Sequence, residues 1–140
     1  MPYVEVNLKT GKVRNPCTNP AEVGTLLLEF GTLSKLTGKS VYYDKAKRAV
    51  VALYARRSPL GLVGSSIDVE TGVWSDSTSH IGGGIDSYYE YLLKAWLLFG
   101  DEDCKRMWEA SAGAVNKYLR EEASSGFWYG QTGMYRGAGL

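Results

Sequence analysis

Cysteine and histidine are nearly absent from this 140-residue chain, which has two of the first, Cys17 and Cys104, and one of the second, His80. The cysteines are too few and too widely spaced for a zinc cluster or a disulfide framework. A single disulfide remains compatible with the sequence; two unrelated free thiols is the simpler reading. His80 has no companion His or nearby Cys with which to share a metal, and reads as a loop residue. Neither sign of charge is in excess: 16 Lys and Arg stand against 15 Asp and Glu, interspersed along the chain. That leaves no basic stripe for a nucleic acid. No long uncharged apolar run is present, so no membrane span is expected. The opening "MPYVEVNLKTGK" lacks the basic and apolar regions of a signal peptide. The length suits one domain with a real core.

Four amphipathic helices fill most of the chain. The first is expected over about Pro20–Leu36, where Val23, Leu26, Leu27, Phe30 and Leu33 recur at helical spacing. Its start reads as a capping box, with Asn19 as N-cap, Pro20 at the first helical position and Glu22 reaching back to the cap. Gly38 ends it. The second, about Val41–Arg57, carries an apolar stripe of Ala46, Ala49, Val50, Leu53 and Tyr54. Its Lys45, Lys47 and Arg48 read as solvated, and Pro59 breaks it. "GLVGSSIDVETGVWSD" then reads as a β-hairpin turning at "ETG". The third helix is expected from near Ser87 to Phe99, with "SYYE" as a second capping box. It is apolar nearly all round, so it should be more buried than the second. The fourth covers about Asp101–Arg120, with Cys104, Met107, Trp108, Ser111, Val115 and Tyr118 on one side. The tail after Glu122 reads as loop or strand.

The helices pair into two hairpins about sixty residues apart, each with a Gly at the bend and a more apolar first helix. Inner and outer helices of a toroid show this contrast, and two hairpins make only part of such a ring. If both first helices are inner, they run in one direction and their N-termini open on one rim. Glu22, Asp86 and Glu90 all sit at those starts. Converging carboxylates suit glycoside hydrolysis, where one acid protonates the leaving oxygen and one carboxylate activates water. A helix N-terminus stabilises the anion, which favours the base. Acids at helix starts are also ordinary caps, and on spacing alone capping is the stronger reading. Tyr88, Tyr89 and Tyr91 suit either packing or stacking on sugar. "GGG" at 82–84 is no phosphate loop, because no Lys-Ser/Thr follows; glycine there suits a backbone passing close to a neighbour.

The stretch "IDSYYEYLLKAWLLFGDED" resembles glycoside hydrolase family 47, the class I α-1,2-mannosidases. "GLVGSSIDVETGVW", "AEVGTLLLEFGTLSKLTG" and "MPYVEVNLKTG" are similar to other family segments in the same order. The resemblance covers about residues 1–120. It implies an all-α fold, a partial (α/α)7 toroid with a small β-hairpin insertion, and residues 1–140 as an internal piece of one catalytic domain. It implies inverting hydrolysis of terminal α-1,2-linked mannose from N-glycan-type oligosaccharides, with a calcium ion at the barrel base. The implied partner is a high-mannose oligosaccharide or glycoprotein. By the same resemblance Asp86 is a catalytic carboxylate, while Glu22 and Glu90 are substrate-binding acids. Localisation follows the source: the endoplasmic reticulum or secretory pathway in a eukaryote, export in a bacterium.

Two departures stand beside it. Processing members often carry Arg two residues before the motif Asp, where this chain has Gly84. That pattern is more similar to the ER degradation-enhancing α-mannosidase-like branch. The family's other catalytic acid, further glutamate and histidine, and calcium-ligating threonine have no counterpart here. A non-catalytic mannose-binding or glycoprotein-quality-control module is therefore the alternative, and an unrelated helical-repeat scaffold a distant third.

Overall fold

The computed structural model describes residues 1–134. Two helical hairpins form its body, linked and flanked by short strands. A two-stranded ribbon, β1 (Glu5–Val6) with β2 (Val13–Arg14), precedes them. β3 (Cys17–Thr18) leads into α1 (Pro20–Gly24), α2 (Leu27–Thr37) and α3 (Val41–Tyr54). β4 (Ser66–Asp68), β5 (Trp74–Asp76) and β6 (Thr78–Ser79) connect to α4 (Asp86–Phe99) and α5 (Glu102–Tyr118). β7 (Arg120–Glu122), β8 (Trp128–Gly130) and β9 (Gly133–Met134) follow. The tail, expected as loop or strand, is thus strand-bearing as far as 134, and its remainder lies outside the described residues.

The molecule is mostly helical, but strands are more numerous than the single expected hairpin. That hairpin, β4 with β5, does form, and β3 adds to it as a third antiparallel strand. β6 pairs β9 and β7 pairs β8. Strands of two or three residues are too short to show alternation, which is why the sequence pattern missed them. The "ETG" turn closes as expected. The Asp68 carboxylate accepts from the amides of Glu70 at 2.8 Å and Thr71 at 2.9 Å, and Gly72 takes φ +72°.

The first expected helix is two. Thr25, at φ −98° and ψ +40°, leaves the helical path, and its hydroxyl donates to the Ala21 carbonyl at 2.7 Å. That side-chain bond offers the backbone an alternative to the ladder. The start is capped by Asn19, whose side chain accepts from the Glu22 amide at 2.9 Å, with Pro20 at the first position. Glu22 does not reach back, contrary to the capping-box reading. The Thr18 hydroxyl, one strand residue earlier, donates to it at 2.6 Å instead. Gly38 and Gly100, both at φ +70°, end α2 and α4 in the left-handed region that favours glycine.

α3 buries Ala46, Ala49, Val50 and Leu53 as its stripe requires. Lys47 is not solvated. Its ammonium lies 2.5 and 2.6 Å from the two Asp101 carboxylate oxygens and 3.2 Å from Cys104 Sγ, tying α3 to the start of α5. Tyr43 donates to the same carboxylate. Burial alone would raise the Asp101 carboxyl, but the bonds from Lys47, Tyr43 and the Cys104 amide leave it below its ordinary value. Both cysteines are free thiols, Cys17 exposed and Cys104 buried. Burial pushes the Cys104 thiol up to about 11, so it remains protonated and inert near neutral pH.

α4 against α1 and α2 sets the architecture. The Ala21 amide donates to the Gly84 carbonyl at 2.9 Å. A Cβ on Gly24 would lie 2.8 Å from the Tyr88 ring, and one on Gly31 would lie 2.5 Å from the Phe99 ring. Between these contacts, the Tyr91 hydroxyl donates to Glu29 at 2.8 Å. Read along either chain segment the partners ascend together, so the two first helices run parallel with their N-termini side by side. Tyr88 and Leu92 are fully buried in the core they share with Val23, Leu27, Leu53 and Met107.

α4 departs from expectation in its burial. Tyr88, Leu92, Ala95 and Phe99 recur at spacings of four, three and four, and this stripe faces α1–α2. Leu97 and Leu98, 67% and 59% exposed, lie outside it. The helix is apolar on more sides than the described residues cover.

Candidate active site

The parallel packing puts the starts of α1 and α4 on one rim, and the expected acids are there. Glu22 is exposed in the first turn of α1, held by Asn19 through its amide and by Thr18 through its carboxylate. Asp86 opens α4, one residue earlier than expected. It is inside the helix, not outside the cap. Ser87 is not the N-cap: its amide donates to Asp86 Oδ1 at 2.8 Å, and its hydroxyl sits 3.5 Å from the same oxygen. Ile85 holds the cap position without a side-chain bond. Glu90 does not bond the Ser87 amide either; it pairs with Lys94 one turn on, at 2.8 Å. Asp86 and Glu90 are exposed, and the carboxylates keep free oxygens directed to solvent.

Side-chain direction separates the acids. Two positions along an α-helix turn through roughly 200°. Tyr88 packs on Gly24, so Asp86 lies on nearly the opposite side of α4. There Asp86 and Glu90 line a depression of about 260 Å³, closed across from them by Val115 and Asn116 of α5. Glu22 and Asp86 therefore share a rim but no hydrogen-bonding partner.

Of the three tyrosines, Tyr88 is pure core. Tyr89 is largely buried, its hydroxyl pushed up to about 12 by that burial. Tyr91 bonds Glu29, with the Lys94 ammonium 5.6 Å from its ring centre. His80 is a loop residue as expected, its Nδ1 accepting from the Gly82 amide at 3.1 Å.

The triglycine has a backbone reason. Gly84 adopts φ +91°, and its carbonyl is the one that receives the Ala21 amide. An Arg at this position would have to adopt a left-handed backbone. Sequence reasoning missed this tie and the Glu29–Tyr91 bond. The run of glycine pointed at close approach, but nothing in the pattern named the partner.

Among the described residues no group of three His, Cys, Asp or Glu side chains could hold a metal ion. No helix among the described residues is long and apolar enough to cross a membrane.

Two helical hairpins with parallel first helices, joined by strand-bearing connections, make a mostly helical fold with small sheets. Over 95% of its length the chain matches the solved α-1,2-mannosidase from Trichoderma reesei, with a TM-score of 0.81 at 27% identity, covering 30% of that protein. The chain belongs to glycosyl hydrolase family 47, whose family model matches residues 1–137. It is 44% identical over 139 residues to alpha-mannosidase I MNS5 of Arabidopsis thaliana, covering 98% of this chain and 24% of that one. It is 42% identical over 139 residues to ER degradation-enhancing alpha-mannosidase-like protein 2 of Homo sapiens, covering 98% and 23%. The chain spans about a quarter of the length of these relatives.

Proposed function

We propose that this chain forms part of the catalytic face of an inverting α-1,2-mannosidase acting on high-mannose oligosaccharides or glycoproteins. Asp86 is the carboxylate that activates the attacking water, and Glu22 and Glu90 are acids that bind sugar hydroxyls. Residues 1–140 are one piece of a single toroidal domain. The observation that carries this reading is the family match together with an exposed, uncapped acid in the first turn of α4. The positive end of a 14-residue helix favours the anion there, as a base requires. Calcium belongs to the reading at family level only.

Proton NMR of α-1,2-mannobiose incubated with the protein tests this. In-line attack by water on the face opposite the leaving group produces β-mannose first, which then mutarotates. Initial α-mannose would overturn the inverting reading. Binding of high-mannose glycan with no mannose released, by the chain alone or joined to the remaining segments its relatives carry, would favour the second reading, a mannose-binding module. That reading draws on Gly84, which takes φ +91° at the position where processing members often carry Arg.

A further inference from the structure

The three acids at the rim are held differently. Asp86 is held by the Ser87 amide, and Glu90 by Lys94, whose side chain is half exposed. Glu22 alone of the three is held by a buried side chain. The Thr18 hydroxyl donates to Glu22 Oε2 at 2.6 Å, and Thr18 is 4% exposed. Alternation along β3 accounts for this, since Cys17 faces out and Thr18 faces in. Antiparallel pairing of Thr18 with the fully buried Ile67 fixes the strand. Asn19 then continues extended, at φ −120° and ψ 163°, before the chain turns into α1. The hydroxyl is thereby fixed beside the first turn of the helix.

The bond is not needed to start α1. Asn19 already caps it through the Glu22 amide, and the Gly84 carbonyl takes the Ala21 amide. The backbone of the first turn is therefore anchored without the Glu22 carboxylate. What Thr18 fixes is the direction of an exposed side chain. At 2.6 Å the bond falls in the short range of hydroxyl-to-carboxylate bonds, the stronger kind. A glutamate loose in solvent has several rotamers, and ordering it on a ligand costs entropy. One held by a buried donor has lost that freedom on folding. Glu22 Oε1 takes no hydrogen bond among the described residues.

We propose that Thr18 is a positioning residue for sugar binding: it holds Glu22 Oε2 so that Oε1 is preset to accept a hydroxyl of a mannose unit. This rests on the reading of Glu22 as a substrate-binding acid and adds the residue that organises it. Thr18 acts through Glu22 and touches no substrate itself. A purely structural Thr18, in which Glu22 only satisfies a buried hydroxyl, would affect stability and leave glycan affinity alone.

Two measurements on one set of variants test this. Thr18→Val keeps the branched shape and removes the donor, and Thr18→Ser restores the donor. The first measurement is a double-mutant cycle of Thr18→Val with Glu22→Ala on the chain itself, followed by urea unfolding. The unfolding constants are expected to depart from additivity by about tenfold, as for a hydrogen bond to a charged group. The second compares high-mannose glycan affinity across the variants, or KM in the form that releases mannose. Thr18→Val is expected to weaken it about three- to tenfold with kcat unchanged. Thr18→Ser should recover it, and Thr18→Val should add no loss once Glu22 is alanine. Additive unfolding constants would overturn the proposal. So would weakened binding in Glu22→Ala beside wild-type binding in Thr18→Val, a result that leaves Glu22 in the site. Wild-type binding by both variants, or no glycan binding by the wild type in either form, would overturn the underlying reading of Glu22 and this proposal with it.

Discussion

Replacing Tyr88 with alanine is expected to lower stability by about 3–5 kcal/mol, the range for deleting a large buried aromatic side chain. Tyr88 is fully buried, and its ring fills the space that Gly24 leaves open. Glycine is required there because a Cβ would meet the ring at 2.8 Å, so the ring and the missing side chain are two halves of one contact. Removing the ring leaves a cavity between α1 and α4 that neither helix can fill by side-chain movement alone. A urea titration should show a lower midpoint at unchanged slope. Tyr88→Phe should cost far less, since the Tyr88 hydroxyl is buried without a hydrogen-bond partner among the described residues. A Tyr88→Phe loss as large as that of Tyr88→Ala would place the energy in the hydroxyl rather than in the packing.

The second large effect concerns chemistry and leaves the fold alone. Asp86→Asn is expected to cut kcat/KM for mannose release by about 10²–10⁴-fold, the usual contribution of a positioned acid or base. The measurement belongs on whichever form releases mannose, the chain alone or joined to the further segments its relatives carry. Asparagine keeps an oxygen for the Ser87 amide, so the helix start and the thermal midpoint should change little. Glu90→Gln should act more mildly, raising KM, because Glu90 is already paired with Lys94. Unchanged turnover in Asp86→Asn would remove Asp86 from the mechanism.

Much of this architecture was legible in the residues. The stripes of α3 and α5, the glycine stops at 38 and 100, the Asn19–Pro20 start and the "ETG" turn follow from local chemistry acting over a few positions. Where local rules competed, the pattern alone misled. Thr25 broke a helix whose apolar spacing ran through it, and Thr18 took Glu22 away from the cap. Lys47 read as solvated because its partner Asp101 lies 54 positions away, and no local spacing reveals such a pair. The shared rim was anticipated from polarity alone. The opposed direction of Asp86 relative to Tyr88 needed the contact with Gly24 to say which side of α4 is covered.

The shared polarity of α1–α2 and α4 is what the sugar-site reading stands on. Dipolar EPR between nitroxides at positions 22 and 86, and separately at 22 and 99, tests it most directly, with Cys17 replaced by serine and Cys104 left buried. The 22–86 pair is expected to be close. The 22–99 pair should be farther apart, with its second label displaced along α4 by roughly the 20 Å length of a 14-residue helix. The reverse order of distances would set the two helices antiparallel and part the acids to opposite ends of the bundle.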